Sequence, residues 1–220
     1  MTVGPKAEDA TPALSTPLRE VYWIGGGSGA GKSTIARRLA AQYGLSLLAT
    51  DDAMPDHASR VTLDDCPFLS DFIAMDMDQR WVNRDPETML ETFHWFRGEG
   101  FGLIVEDLLR QPEGSAVIVE GFRLLPRLVK PLLGLSSRAI WLLPTPDFRR
   151  AAFDSRGTAW EIPRRTTKPE RALRNLLERD RLFTERLRNE ATLLDLPVID
   201  VHTAMTEDDL AVQVTESFEL

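Results

Sequence analysis

Cysteine, tyrosine and histidine are scarce in this chain, whose 220 residues include one cysteine, two tyrosines and three histidines. Cys66 has no second cysteine to pair with, so an intramolecular disulfide is excluded, and we expect it to be a small core residue. His57, His94 and His202 show no metal-ligand spacing with one another or with Cys66. None of the three is a candidate catalytic base. The sequence therefore gives no sign of disulfide, thiol or histidine-metal chemistry.

Long hydrophobic runs and an excess of positive charge are also missing. No segment reaches the ~18 apolar residues that a membrane span needs, and residues 1–20 lack the basic-then-apolar order of a signal peptide. The formal net charge is -8, with a pI near 5.0. A diffuse negative field repels phosphate backbones, so we expect no binding to nucleic acid or to membranes. These absences favour a cytoplasmic protein.

The length and the 43% hydrophobic content favour one domain over residues 19–220. Residues 1–18, rich in Pro, Thr, Ser and Ala, are predicted to form a flexible leader. Segment 54–114 is polar and aromatic with helical stretches, and we interpret it as a helical insertion that binds an acceptor. Segment 156–168 is basic and lacks helical periodicity, which is typical of a lid.

Five short apolar runs alternate with helical stretches along the rest of the chain. This alternation predicts an α/β fold of three layers, in which a five-stranded parallel sheet is covered by helices on both faces. The runs are Val21–Ile24, Leu45–Ala49, Ala116–Val119, Arg138–Leu143 and Val198–Val201. The helical stretches include Asp147–Ser155 and Pro169–Leu194, and Thr206 is expected to cap a terminal helix.

A phosphate-binding loop stands between the first strand and the first helix. Residues 26–33 fit the pattern G-x-x-x-x-G-K-[ST], with Gly26, Gly31, Lys32 and Ser33 at its fixed positions. Glycines give main-chain N–H groups access to a polyphosphate, Lys32 would reach the β- and γ-phosphates, and the Ser33 hydroxyl would ligate Mg²⁺. The predicted cofactors are ATP and Mg²⁺. The predicted cofactor-binding residues in this stretch are Gly27, Ser28, Gly29, Ala30, Gly31, Lys32, Ser33 and Thr34.

Acidic residues follow the second and third strands, at the edge of a parallel sheet where ligands bind. Asp51 and Asp52 are both candidates for the catalytic base. Asp51 is also a candidate metal ligand, and Asp52 is also a candidate substrate-binding residue. The alternative is that one of them caps the next helix, and the choice of base between the two stays open. Glu120 is predicted to be catalytic and to support Mg²⁺, with a loop-packing carboxylate as the alternative. Gly121 would let the backbone turn close to the site.

The predicted lid carries Arg156, Arg164 and Arg165, which we assign to stabilisation of the moving phosphoryl group. The alternative is a solvated basic loop. On the acceptor side, the predicted substrate-binding residues besides Asp52 are Asp78, Arg80, Trp81, Arg84 and Arg123. A core position is the alternative for Trp81.

Four features of the chain together resemble the P-loop kinases. They are the P-loop with Lys32 and Ser33, the Asp51–Asp52 pair, the Val-Glu-Gly end of the third strand and the basic lid. These kinases form the nucleoside monophosphate kinase-like superfamily, which includes gluconate, shikimate and chloramphenicol phosphotransferases and the zeta-type toxins. The resemblance implies strand order 2-3-1-4-5, an acceptor-binding insertion, an arginine lid and an adenine site around Arg156, Asp200 and His202. Glu120 stands where an aspartate is commoner in these proteins.

The expected function is ATP- and Mg²⁺-dependent transfer of the γ-phosphate to a hydroxyl of a small-molecule acceptor. One alternative is a nucleotide-binding regulatory ATPase or switch with no acceptor, and another is a zeta-toxin-like kinase of a nucleotide sugar. The sequence leaves open the identity of the acceptor, ATP or GTP as the donor, and a monomer or a dimer.

Overall fold

The computed structural model describes residues 18–62, 64–112, 114–157 and 159–220. The predicted leader therefore lies outside the described residues, except for its last position. Leu18 is 2% exposed and packs into the hydrophobic core. This leucine packs with the folded domain, and the leader predicted for the residues before it stays a prediction.

The five predicted strands form one parallel sheet. They are β1 (Val21–Gly26), β2 (Ser46–Ala49), β3 (Val117–Glu120), β4 (Ala139–Pro144) and β5 (Val198–Val201). Their order across the sheet is β2-β3-β1-β4-β5, and every neighbouring pair is parallel. The structure thus confirms the predicted sheet and its order 2-3-1-4-5.

Successive side chains along each strand point to opposite faces of the sheet, which divides the core into two clusters, one on each face. Trp23 faces the cluster that contains Phe183, whereas its neighbour Ile24 faces the one that contains Leu39. Strands β1, β3 and β4 are buried throughout. Because helices cover both faces of the sheet, the strand sequences are continuous apolar runs and do not alternate with polar residues. The predicted three-layer α/β architecture is confirmed.

The described helices cover both faces and build the insertion. They are α1 (Lys32–Tyr43), α2 (Met54–Arg60), α3 (Pro67–Ala74), α4 (Met77–Trp81), α5 (Pro86–Thr92), α6 (His94–Arg97), α7 (Phe101–Leu109), α8 (Pro126–Val129), α9 (Pro146–Arg156), α10 (Pro169–Leu193) and α11 (Glu207–Phe218). Short 3₁₀ turns cover Lys130–Leu132, Ser136–Arg138 and Pro163–Arg165. Among the described residues, no helix is both long enough and apolar enough to cross a membrane.

The insertion between β2 and β3 consists of α2 to α7 and packs on the long helix α10. Trp81 and Met89 from the insertion form a buried cluster with Ala172 and Leu176 of α10. Side-chain caps fix the starts of two helices, and the cap at Thr206 is the one that the sequence predicted. The Asp85 carboxylate accepts a hydrogen bond from the Thr88 amide at α5, and the Thr206 hydroxyl accepts one from the Asp209 amide at α11.

Candidate active site

The phosphate-binding loop joins the buried strand β1 to helix α1. Gly31, with φ of 82°, takes the left-handed conformation that starts the helix at Lys32. The Lys32 side chain is 6% exposed, and its ammonium group donates a 2.8 Å hydrogen bond to the Gly27 carbonyl across the loop. The main-chain N–H groups and the positive end of the α1 dipole point toward the same place. This cradle fits the phosphates of a nucleotide.

Two carboxylates reach the loop from the neighbouring strands β2 and β3. Ala49 pairs with Glu120 in the sheet, and the Thr50 amide donates a 2.9 Å hydrogen bond to the Glu120 carbonyl. This register brings Asp51 next to Glu120. Burial raises the pKa of each carboxyl group, the Asp51 charge raises the pKa of Glu120 further, and the Lys32 charge lowers the pKa of both.

Glu120 has the environment expected of a group that holds magnesium. It is 2% exposed, and hydrogen bonding to the Ser33 side chain lowers its pKa against the larger effect of burial. Its Oε2 atom is buried and has no hydrogen-bond partner. Within the described part of the chain, no three His, Cys, Asp or Glu side chains converge closely enough to hold a metal alone. One or two carboxylates, a serine hydroxyl and substrate phosphates are a usual donor set for Mg²⁺, so these residues fit that ion.

Gly121 allows β3 to end against the Thr50–Asp51 segment. Its φ is 152°, and a Cβ atom placed there would lie 1.8 Å from the Thr50 hydroxyl and 3.0 Å from an Asp51 carboxylate oxygen. A side chain at this position would push Asp51 away from the loop. The glycine therefore sets the distance between the two strand ends.

Asp51 and Asp52 occupy different environments. Asp51 is half-buried and lines the phosphate cavity, whereas the Asp52 side chain is exposed. The residue preceding α2 is Ala53, and no side chain caps that helix. The capping role that we considered for Asp52 is therefore wrong, and the geometry favours Asp51 as the residue that reaches a bound nucleotide.

Three cavities adjoin one another along the P-loop. The middle one, of about 210 Å³, is the phosphate cavity and is lined by residues 28–33 together with Asp51, Phe122 and Phe153. On one side, it shares Gly29 and Gly31 with a cavity of about 400 Å³, the base cavity. On the other side, it shares Ser28 and Phe122 with a cavity of about 280 Å³, the acceptor cavity.

The base cavity lies between α9 and the loop that follows β5, the place expected for adenine. Its walls include Phe148, Ala152, Ser155 and Met205, and Thr34 also lines it. His202 follows β5 but is exposed and does not line this cavity, and its assignment as an adenine contact stays a prediction. The side chain of Arg156 lies outside the described residues. The wall residues were missed because they lie on an ordinary amphipathic helix and an ordinary loop, with no motif.

The acceptor cavity is built by the insertion, the P-loop, the lid and α10. Trp81 lines it while also packing in the core, so it occupies the core position considered as the alternative, and its contact with a substrate stays a prediction. The other walls were missed, because nothing in a single sequence places them beside the P-loop. They are Met54, Phe72, Phe93, His94, Trp95, Phe96, Phe122, Ile162 and Arg179, and Ser28 of the P-loop itself completes the walls.

Three predicted acceptor residues instead hold the insertion together. Asp78 accepts hydrogen bonds from the Thr167 amide and hydroxyl, which ties the end of the lid segment to α4. Arg80 donates to the Phe72 and Ile73 carbonyls at 2.9 Å. The Arg84 guanidinium is occupied by the Gln79 and Arg80 carbonyls and the Thr92 hydroxyl. Their polar groups are used locally in this structure, and their assignment to the substrate stays a prediction.

Arg123 is 2% exposed and also serves the protein itself. It donates to the Thr50 carbonyl at 3.3 Å and to His57 Nδ1 at 2.8 Å, and its guanidinium lies 4.0 Å from the Trp95 ring centroid. His57 Nε2 in turn donates to Asp107 at 2.7 Å. Burial lowers the pKa of Arg123 to about 10. Arg123 therefore braces the segment that carries Asp51, and its contact with a substrate stays a prediction.

The lid segment runs from the end of α9 to the start of α10. Arg164 and Arg165 lie in its 3₁₀ turn and are exposed, while Ile162 reaches the acceptor cavity. Closure of this segment over a nucleotide stays a prediction.

Comparison with known proteins gives a similarity of structure but none of sequence. No protein-family profile matches the chain, and no curated protein matches it. Among solved structures, the chain is similar to a shikimate kinase from Acinetobacter baumannii in complex with shikimate, with 16% sequence identity and a TM-score of 0.40. The match covers 94% of this chain and 95% of that one. At this level of similarity, the function has to be argued from the geometry of the site itself.

Proposed function

We propose that the protein is a phosphotransferase that moves the γ-phosphoryl group of Mg²⁺-bound ATP to a hydroxyl group of a small molecule. The observation that supports this most is the order of the three cavities, in which the phosphate cavity lies between the other two. Phosphoryl transfer needs the leaving and attacking oxygens on opposite sides of the moving group. A nucleoside in the base cavity and a hydroxyl in the acceptor cavity would meet this requirement.

Each polar group at the phosphate cavity has a role in this proposal. Lys32 and the main-chain amides would bind the β- and γ-phosphates, and Ser33, Asp51 and Glu120 would hold Mg²⁺ directly or through water. When bound, Mg²⁺ supplies positive charge that offsets the charge of the phosphates. The buried and unpartnered Oε2 of Glu120 gives the clearest support for such an ion.

The acceptor oxygen would form a bond to the γ-phosphorus while the bond from this phosphorus to the bridging oxygen breaks. The electron pair of that bond leaves with ADP, and the hydroxyl proton passes to Asp51. Arg164 and Arg165, with Arg156, would approach the moving phosphoryl group when the lid segment closes. Ile162 would then exclude water from the acceptor side.

A nucleotide-regulated switch is the alternative from another functional class. A switch needs slow hydrolysis and a surface that binds a partner. It does not need an acceptor cavity beside the phosphate cavity, with two wall residues in common. The acceptor cavity is therefore the feature that favours transfer.

Formation of ADP in the presence of pools of hydroxylated metabolites tests the proposal. We expect at least one pool to increase ADP formation by the wild type, and none to do so with Lys32→Ala. Lys130→Ala is the matched control, because this lysine contacts Ser136 and lines none of the three cavities. ADP formation that is the same with and without every pool would favour the switch and contradict the proposal.

A further inference from the structure

The walls of the acceptor cavity are dominated by aromatic rings. Phe72 packs edge-on against Trp81, with centroids 5.7 Å apart, and against Phe93, with centroids 5.3 Å apart. Trp95, Phe96 and Phe122 complete this set. Rings pack best against other rings in edge-on or offset arrangements, which add to the free energy of apolar burial. A compound covered with hydroxyl groups would lose its hydrogen bonds to water on entering this cavity, and the walls would not offer enough hydrogen-bond partners to replace them.

Two polar atoms in the same walls lack a partner. His94 is 3% exposed and Arg179 is 7% exposed. His94 Nδ1 and Arg179 Nη1 are both buried without a hydrogen bond in the structure. Leaving such an atom buried and unpaired is unfavourable, so a bound oxygen that pairs with it would relieve that cost.

Arg179 is held in a fixed direction by its other contacts. Its Nε and Nη2 atoms donate to the Asp180 carboxylate at 3.0 and 2.6 Å. The guanidinium lies 4.9 to 5.1 Å from the ring centroids of Phe93, Trp81 and Phe96. Because this arginine cannot turn without breaking an ion pair, its Nη1 atom is a fixed hydrogen-bond donor toward a ligand.

The other end of the cavity opens to the P-loop. Ser28 and Phe122 line both the acceptor cavity and the phosphate cavity. A ring held by the aromatic walls would therefore direct a hydroxyl-bearing substituent past Ser28 toward the γ-phosphate.

From these contacts we propose that the acceptor is an aromatic alcohol whose ring also carries a hydrogen-bond-accepting oxygen on the side away from the hydroxyl. The ring occupies the aromatic walls, and the oxygen accepts from Arg179 Nη1 and pairs with His94. The inference rests on the proposed function, because it names the substrate class of that same site.

Binding and transfer are measured separately to test the inference. The probes are benzamides that carry a hydroxyalkyl chain of increasing length opposite the amide, the same alcohols with a methyl group in place of the amide, and gluconate. We expect a benzamide to bind in ligand-detected NMR and to gain a phosphoryl group from ATP. The methyl analogue should bind at least about tenfold more weakly, since one hydrogen bond to a charged donor is worth about that much, and gluconate should not bind.

A pair of tryptophan substitutions serves as the control for the location of binding. Ile162→Trp fills the mouth of the cavity and should weaken benzamide binding at least tenfold. Ile73→Trp adds the same ring next to Phe72 on a side chain that is 58% exposed, and should leave binding unchanged. Equal effects of the two variants would overturn the inference.

The two proposals fail in different ways. Phosphorylation of gluconate without binding of any benzamide would overturn the aromatic acceptor and leave the phosphotransferase standing. Benzamide binding that Ile162→Trp abolishes, without transfer to any compound, would support ring recognition by the cavity and contradict the phosphotransferase.

Discussion

At the scale of single residues, the candidate site depends on carboxylates whose charge is opposed by burial. Burial raises the pKa of Asp51 and of Glu120, and Lys32 is the largest influence that lowers each of them. The lysine thus favours the ionised form of two neighbouring acidic groups, against the larger effect of burial, where a metal ion and phosphates would bind. Asp52 is the next residue along the chain, yet its side chain lies in solvent. The two aspartates should therefore differ in their effect on catalysis.

Replacing each aspartate by asparagine tests this difference. Asp51→Asn is expected to lower kcat by about 100-fold or more, since it removes the group that accepts the proton and contacts the metal. Asp52→Asn, the matched control, should change kcat by less than about threefold. The measurement is steady-state ADP formation with an acceptor found in the metabolite pools. A larger loss from Asp52→Asn would reverse our assignment.

At the scale of elements, two neighbouring strands bring the carboxylates together and a glycine permits their approach. Strands β2 and β3 end side by side, and Gly121 lets the backbone pass against the buried Thr50 side chain. The Arg123 guanidinium then holds the Thr50 carbonyl from the other side. The end of β2 is therefore fixed by packing and hydrogen bonds before any ligand binds.

Gly121→Ala should lower the free energy of unfolding by about 2–4 kcal/mol, because its φ disfavours a side chain and the new Cβ would overlap Thr50. Gly102→Ala is the control within helix α7, where a Cβ meets nothing within 4 Å. It should raise the free energy of unfolding by about 0.4–1 kcal/mol. Urea unfolding of both variants is the measurement. Equal small effects would show that the strand ends are not tightly packed.

The same elements explain which parts of the site the sequence could predict. The P-loop is contiguous in sequence, so the spacing of its glycines, Lys32 and Ser33 is enough to predict it. Short apolar runs likewise indicate the strands. The acceptor cavity joins Ser28, Phe93, Ile162 and Arg179, which are far apart in sequence, so only the packing of the insertion on α10 brings them together. Polar residues such as Arg84 were predicted to bind substrate because a sequence does not show which polar groups are already used by backbone carbonyls.

At the scale of the whole molecule, the insertion carries a buried histidine whose protonation opposes folding. Burial, together with the charges of the nearby Arg123, Arg179 and Arg80 guanidinium groups, lowers the pKa of His94 to about 3. The folded state therefore binds fewer protons at this site than the unfolded state does between about pH 3 and 6.5. Folding stability from this group is present above pH 6.5 and is lost as the pH falls through that range.

As the pH falls from 7 to 5, protonation of His94 in the unfolded state is expected to lower the free energy of unfolding by about 2 kcal/mol. His94→Gln should remove this part of the pH dependence. Urea unfolding at both pH values measures the difference between the two proteins. NMR titration of the wild-type ring gives a second readout, in which the imidazole should stay neutral to about pH 4. A His94 ring that titrates near pH 6.5 would contradict a buried, unprotonated histidine in the acceptor cavity.

The central claim, transfer across the phosphate cavity to a small-molecule hydroxyl, is tested most directly by tracing the phosphoryl group. The protein is incubated with a metabolite extract, Mg²⁺ and ATP whose γ-phosphoryl oxygens carry ¹⁸O, and the products are analysed by mass spectrometry. We predict that at least one hydroxyl compound gains a phosphoryl group carrying the label with the wild type and gains none with Lys32→Ala. Label found only in inorganic phosphate, or an equal gain with both proteins, would contradict the account.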